Sequence, residues 1–184
     1  MSRGRARLVA MVLVIGLGVL ATGCGSTETP TGAGGAPTPK AAAAGGPSAV
    51  ARMICAAEAQ GEVAQGLGLT PTGPATAAWA APVYSCTYAF PAGQLLLSVR
   101  DLSGAAETTA YFTAARTAGA ATDLPGLGDA AFAAANGSVY VRKDFKVLHV
   151  DVSRLPDFLG QPPISRATAG VRVAEIIMSC WTGG

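Results

Sequence analysis

The stretch FAAANGSVYVR, from Phe132 to Arg142, carries the most specific structural signal in the chain. Asn136 and Gly137 tolerate positive φ angles, so this pair between two apolar segments favours a β-hairpin closed by a type I′ turn. We therefore predict one strand over Phe132 to Ala135 and a second over Ser138 to Arg142. The domain is expected to be built around an antiparallel sheet that contains this hairpin.

The pattern continues on the C-terminal side of the hairpin. Lys143-Asp144-Phe145 is predicted to turn the chain again, and residues 147–152 alternate as the next strand. The alternation puts one set of side chains on one face and a second set on the other: Leu148, Val150 and Val152 against Val147, His149 and Asp151. A proline-rich loop then leads to a last helix from Ser165 to about Met178.

The residues on the N-terminal side predict a similar order. Ser48 can cap a helix to about Gln65, ended by Gly66 and Gly68, and Ser103 can cap another to about Ala118. Between them, Tyr84 to Phe90 and Gln94 to Arg100 are predicted to be paired strands. The expected order is α-β-β-α-β-β-β-α, which is an α+β fold with an antiparallel sheet and helices packed on one face.

The first 24 residues have the pattern of an export signal. Arg3, Arg5 and Arg7 precede an apolar run of 13 residues from Leu8 to Leu20, and Ala21-Thr22-Gly23-Cys24 follows. An uncleaved transmembrane anchor is the alternative, but spanning the hydrocarbon core takes about 20 apolar residues. The small residues before Cys24 resemble the lipobox of bacterial lipoproteins. This resemblance implies removal of residues 1–23 and attachment of acyl chains such as palmitate to Cys24.

Two regions follow the predicted cleavage site. Residues 24–47 consist of the lipidated Cys24 and a segment of mainly Gly, Ala, Ser, Thr and Pro, which lacks the apolar surface to fold. As a flexible tether it has an average reach of about 25 Å. Residues 48–184 are long enough for a single globular domain. The expected location is the extracytoplasmic face of the cell membrane, with the lipid on Cys24 as the anchor.

The charge balance argues against nucleic acid as a partner. The chain has 13 Lys and Arg against 11 Asp and Glu, and removal of the three signal-peptide arginines leaves 10 against 11. A net charge near zero gives no electrostatic reason to expect nucleic-acid binding. The abundant Ala and Gly and the scarcity of lysine are typical of a GC-rich genome. We therefore expect the source to be an actinobacterium.

Three cysteines remain in the predicted domain, namely Cys55, Cys86 and Cys180. Thiols oxidise outside the membrane, so at least two of them are expected to pair. A bridge from Cys55 in the first helix to Cys86 in the first strand is favoured, because that helix can cover the sheet. Spacing alone leaves pairings with Cys180 open. If it is left over, Cys180 is expected to be a small buried apolar side chain, with an intermolecular disulfide as the alternative.

Four short segments resemble landmarks of a group of actinobacterial cell-envelope lipoproteins of unknown function. They are Ile54-Cys55-Ala56-Ala57-Glu58, Tyr84-Ser85-Cys86-Thr87-Tyr88, residues 124–132 with Gly126-Leu127-Gly128-Asp129-Ala130-Ala131, and Val139-Tyr140-Val141-Arg142-Lys143. The resemblance covers about residues 53–178. It implies an envelope location and the Cys55 to Cys86 pair, and it implies no activity.

No catalytic, cofactor or metal site is predicted. Gly126-Leu127-Gly128-Asp129 lacks the third glycine of a dinucleotide fingerprint, and we expect a turn whose Asp129 carboxylate accepts from nearby backbone amides. His149, Asp151 and Ser153 share a strand face but are spaced too far along it for a hydrogen-bonded relay. A single histidine also argues against a zinc site, because the remaining soft ligands are the cysteines expected in a disulfide. We therefore expect a non-enzymatic protein.

The aromatic residues Trp79, Tyr84, Tyr88 and Trp181 could line a binding surface, although such residues more often fill a core. Two hypotheses of function follow. The first is a binding or interaction module that meets another envelope protein. The second is a carrier of a lipid or other small apolar ligand, which would require a large internal cavity.

Overall fold

The computed structural model describes residues 45–181. The helices in this part of the chain are α1 (Ala49–Met53), α2 (Ala57–Leu67), α3 (Ala105–Ala118) and α4 (Arg166–Cys180). The strands are β1 (Thr76–Ala80), β2 (Val83–Phe90), β3 (Gly93–Asp101), β4 (Thr122–Asp123), β5 (Ala130–Ala133), β6 (Val139–Lys143), β7 (Lys146–Asp151), β8 (Phe158–Leu159) and β9 (Ile164–Ser165).

Seven of the strands form one antiparallel sheet in the order β1-β2-β3-β7-β6-β5-β4, and β8 pairs with β9 separately. The α+β class is confirmed, and the predicted succession of helices and strands is recovered in outline. Four strands were not predicted: β1, β4, β8 and β9. Three of these contain two residues each, and β1 lies in an alanine-rich segment without a clear apolar alternation.

The main core lies between one face of the sheet and three helices. The alternation of β7 is confirmed, since Leu148 and Val150 point into this core with side chains that have no exposed surface. Val63 of α2 and Val173 of α4 pack against the same face. Because apolar residues alternate along the strands and recur every three or four positions along the helices, both layers bury one side.

The remaining helix, α3, packs on the opposite face of the sheet. Phe112 of α3 lies with its ring centroid 5.1 Å from that of Phe132 in β5, and Leu102 and Val147 complete this smaller core. Val147 precedes Leu148 on β7, so the two residues serve opposite cores. The predicted helices therefore occupy mainly, but not only, one face.

The predicted first helix is two helices, and the single helix from Ser48 to Gln65 is wrong. Ser48 does cap α1, because its hydroxyl accepts from Ala51 N at 3.1 Å while also donating to the buried Asp101 carboxylate at 2.8 Å. Ile54 ends α1, and its carbonyl accepts from Tyr88 Oη at 2.5 Å. Ala56 then has an extended ψ of 151° before α2 begins. A hydrogen bond from Tyr88 in β2 thus takes the place of a helical backbone bond to the Ile54 carbonyl.

The hairpin centred on Asn136 and Gly137 is present, but its turn is not type I′. Only Gly137 has a positive φ, of 86°, and Gly137 N donates to Ala134 O at 2.9 Å. The Asn136 side chain instead accepts from Ser138 N at 3.0 Å. An i to i+3 bond followed by a glycine at positive φ is typical of a three-residue hairpin loop.

Ser103 does not cap α3 in the predicted way. The helix begins after Gly104, and Ser103 donates from its backbone N and its hydroxyl to the Glu107 carboxylate at 2.9 and 2.5 Å. The capping contact is therefore made by Glu107 reaching back from the first turn of α3.

Candidate functional site

The predicted lipidation site, Cys24, lies outside the described residues, as do the signal peptide and most of the tether. Among residues 45–181, none of the helices combines the length and the apolar character needed to cross a bilayer. In the same part of the chain, no three His, Cys, Asp or Glu side chains are grouped so as to hold a metal ion.

The predicted disulfide is confirmed. Cys55 and Cys86 are bonded, with their Cα atoms 5.5 Å apart and a sequence separation of 31. The bridge joins the short link between α1 and α2 to the middle of β2. It ties the helical layer to the sheet beside the edge strand β1, because Cys86 is the register partner of Ala77.

Cys180 is not part of that bridge and differs from the expected buried apolar side chain. It is only half-buried, and its thiol donates to the Glu62 carboxylate at 3.3 Å. The neighbouring Trp181 is the residue that fills the core, with 2% of its surface exposed. α4 continues to Cys180, two residues beyond its predicted end, and so presents the cysteine to α2.

His149, Asp151 and Ser153 do not form a relay within the described chain. The His149 ring stacks on Tyr140 with centroids 4.1 Å apart, while the Asp151 carboxylate accepts from Ser153 N at 2.9 Å. Burial lowers the pKa of His149, and the charge of Asp151 offsets part of that effect. Burial opposes ionisation of Asp151, but hydrogen bonds from Ser153, the charge of His149 and a hydrogen bond from Ser138 together outweigh it and hold the pKa of that carboxyl below its usual range.

The aromatic residues divide between core and surface. Tyr88 is 1% exposed, and burial raises the pKa of its hydroxyl. Tyr84 is half-buried against the main core. Trp79, the register partner of Tyr84 on β1, is 37% exposed. Trp79 is thus the member of this group that lies at an edge of the sheet.

Strand β1 forms that edge, and all five of its residues are exposed. Its sequence, TAAWA, contains no charged residue. Natural edge strands are commonly protected by charges, prolines or bulges, because their unpaired backbone groups can recruit another strand. β1 carries none of these charged or proline side chains.

The direction of the β1 backbone groups follows from the register. Ala89 directs its carbonyl to the β1 side of β2, where it accepts from Thr72 N at 2.8 Å. Backbone direction alternates along an antiparallel strand, so Ser85 also bonds toward β1. Its partner Ala78 therefore faces β2, whereas Ala77 and Trp79 direct their N–H and C=O groups away from the sheet.

Gln60 and the disulfide hold the start of this edge. The Gln60 side chain donates to Cys55 O at 2.9 Å and accepts from Ala75 N at 2.9 Å. Ala75 is the preceding outward-facing residue in the same alternation. Among residues 45–181, no backbone hydrogen bond reaches the outer side of Ala77 or Trp79. The site is thus an edge that is anchored at its start and has four available backbone groups.

A second candidate site is a pocket of about 320 Å³ beside α3. Its walls include Asp129, Arg142, Asp144 and Phe145, and the threonines of the first turns of α3. The expected role of Asp129 is wrong, because its exposed carboxylate makes no hydrogen bond within the described chain. Its backbone N instead donates to Arg142 O at 2.8 Å.

The rim of this pocket is the two-residue turn between β6 and β7. Asp144 and Phe145 have φ angles of 49° and 55°, so the two positive angles predicted for Asn136-Gly137 occur here instead. A left-handed conformation costs about 1–2 kcal/mol for a residue with a side chain. The sequence indicated a turn here, but phenylalanine does not signal a positive φ angle, so the type of turn was not predicted.

Comparisons of the chain with protein-family models, with curated proteins and with solved structures found no match.

Proposed function

We propose that this protein is a bacterial lipoprotein of the extracytoplasmic membrane face, anchored through Cys24, and that it acts as a non-enzymatic interaction module. The anchor rests on the sequence pattern that ends at Cys24 and on its resemblance to a lipobox. The resemblance to actinobacterial envelope lipoproteins supports the same location. The partner in this proposal is another envelope protein.

The observation that carries the proposal is the edge strand β1. An extended partner segment can add to an exposed sheet edge through main-chain hydrogen bonds, while side-chain contacts supply specificity. Ala77 and Trp79 offer two N–H and two C=O groups for this purpose. The half-exposed Trp79 side chain offers an aromatic contact of the kind enriched at protein interfaces.

The carrier hypothesis has less support from the described residues. Side chains of β3 and of the opposing helices fill the space between the sheet and α2 and α4. Leu95, Leu97 and Val173 have no exposed surface, and Ile177 has 2%. The pockets described beside α3 are on the other side of the sheet.

The experiment compares Ala77→Pro with Ala77→Val in the full chain. Proline removes the outward N–H of Ala77 without breaking a bond to β2, and proline is tolerated at edge positions of this kind. Valine keeps the N–H and serves as the matched control. A photo-crosslinking residue at Thr76 then reports on what lies beside β1 in the native envelope.

We expect a discrete crosslinked product in the wild-type chain and in Ala77→Val, and its loss in Ala77→Pro. Thermal unfolding of the two variants should be similar, which would separate binding from folding. A product that persists in Ala77→Pro would refute strand addition at this edge. A product made of two copies of this chain would replace the envelope partner with a homodimer.

A further inference from the structure

We propose that the pocket beside α3 binds a small zwitterion, such as an amino acid or a short peptide with both termini charged. This inference goes beyond the proposed function, because the pocket is separate from β1 and does not depend on strand addition. Its volume of about 320 Å³ is at the small end of the range for ligand pockets. A small ligand is therefore the appropriate class.

The pocket is formed by segments that are distant in the sequence. The beginning of α3 contributes Thr108 and Thr109, and the loop before β5 contributes Asp129. The β6 to β7 turn contributes Asp144 and Phe145. Tertiary folding therefore places hydroxyl, carboxylate and aromatic groups around one space.

Opposite charges line this pocket without neutralising one another. No guanidinium nitrogen of Arg142 lies within 4 Å of a carboxylate oxygen of Asp129 or Asp144, although all three residues line the same space. Elsewhere in the described chain, exposed arginine and aspartate side chains do pair, as in Arg116 with Asp123 at 2.8 Å. The charges in the pocket are available to a ligand that carries both signs.

The guanidinium group of Arg142 is held by contacts that leave its charge uncompensated. Its Nη1 donates to Thr109 Oγ1 at 3.4 Å, and its Cζ lies 5.5 Å from the centroid of the Phe112 ring. Neither neighbour carries a charge. A ligand carboxylate could bond to the remaining N–H groups, and arginine commonly binds carboxylates through two parallel bonds.

The turn at Asp144-Phe145 supplies a carboxylate and an aromatic ring to the pocket. The backbone of this turn is fixed where Leu102 N donates to Phe145 O at 3.0 Å. Phe145 occupies a left-handed conformation that glycine would adopt more readily, and 38% of the surface of this apolar residue is exposed. Strained residues of this kind often occur where a binding function needs the side chain.

These features give a binding arrangement with separate places for each part of the ligand. The ligand ammonium group would meet the carboxylates of Asp129 and Asp144. The ligand carboxylate would meet Arg142, and its apolar part would contact the Phe145 ring. Binding forms and breaks no covalent bond.

The experiment follows backbone amide NMR signals of the full chain in detergent during titration with amino acids and with alanyl-alanine. N-acetyl-alanyl-alanine and alanyl-alanine amide serve as probes that each lack one charge. Arg142→Gln and Asp144→Asn remove one charge each from the pocket, and asparagine retains a tolerance for positive φ. Asp157→Asn is the matched control outside the pocket, since Asp157 pairs with Arg166.

We expect saturable shifts at the pocket residues with at least one zwitterionic probe. Capping either terminus, or changing Arg142 or Asp144, should weaken binding at least about tenfold, whereas Asp157→Asn should not. A Kd weaker than about 1 mM for all zwitterionic probes would overturn the proposal. Equal binding of the capped probes would also overturn it. Ala77→Pro should leave this binding unchanged, so failure here is distinguishable from failure of the edge proposal.

Discussion

Gly128 lies at a point where a side chain would be excluded both by backbone conformation and by space. Its φ is 62°, and a Cβ built there would lie 2.6 Å from Val141 Cγ1 and 2.7 Å from Arg142 O. Gly126 has a φ of 83°, but nothing lies within 4 Å of its built Cβ. The two glycines thus separate conformational strain from steric overlap.

We expect Gly126→Ala to lower the free energy of unfolding by about 1–2 kcal/mol through strain alone. Gly128→Ala should cost at least about 1 kcal/mol more, because the β6 backbone must also move. Urea unfolding of both variants measures the difference. Equal losses would mean that the loop before β5 adjusts without disturbing β6.

His149 should make stability depend on pH, because burial lowers its pKa in the folded chain. An unfolded histidine has a pKa of about 6.5, so the unfolded state binds a proton more readily as the pH falls below that value. The stabilisation is therefore present above pH 6.5 and is lost as the pH falls toward the folded pKa. His149 is the only histidine in the sequence, which makes the effect assignable.

His149→Phe retains a ring against Tyr140 and removes the titration. Unfolding free energies of chains without a histidine tag, measured between pH 7 and pH 5, should decline less steeply in this variant than in the wild type. The low pKa of Asp151 limits its own contribution in this range. The same slope in both chains would contradict the assignment to His149.

At the scale of elements, the disulfide connects the break between α1 and α2 with β2. A loop of the length closed by Cys55 and Cys86 corresponds to about 3.7 kcal/mol in the chain-entropy description of cross-links. We expect the double variant Cys55→Ala, Cys86→Ala to lose about that much unfolding free energy. Denaturant unfolding under non-reducing conditions measures this loss.

Cys180→Ala is the control for that measurement, since Cys180 is outside the bridge. It should change stability much less, and a reducing agent should destabilise it about as much as the wild type. A double variant as stable as the wild type would show that the bridge adds little to the packing between helices and sheet.

At the scale of the whole molecule, Cys24 is predicted to determine where the domain resides. The full chain with Cys24→Ala should lose incorporation of labelled palmitate in the host bacterium and move out of the detergent phase on phase partitioning. Cys180→Ala should keep both properties. Labelling that persists without Cys24 would refute the lipobox assignment.

Local patterns in the sequence were sufficient for the elements that bury one side. The alternation over residues 147–152 identified β7 and its two faces, and the register of β6 with β7 follows the same alternation. The Asn136-Gly137 pair located the hairpin. Such features depend on neighbours in the chain, because burying every second residue of a strand leaves a visible period of two.

Contacts between distant segments decided the rest. The Tyr88 hydroxyl donates to the Ile54 carbonyl at the break after α1. Helix α3 packs on the face of the sheet opposite to the other helices. β1 is a strand because β2 pairs with it, since its alanine-rich sequence has no decisive period. The pocket likewise exists only where Asp129, Arg142 and the start of α3 meet. The sequence by itself determined the class of fold and the strands with strict alternation, because these depend on local order, and it alone carries the predicted export signal. The tertiary structure alone decided the open edge and the pocket, because both arise from residues brought together across the chain.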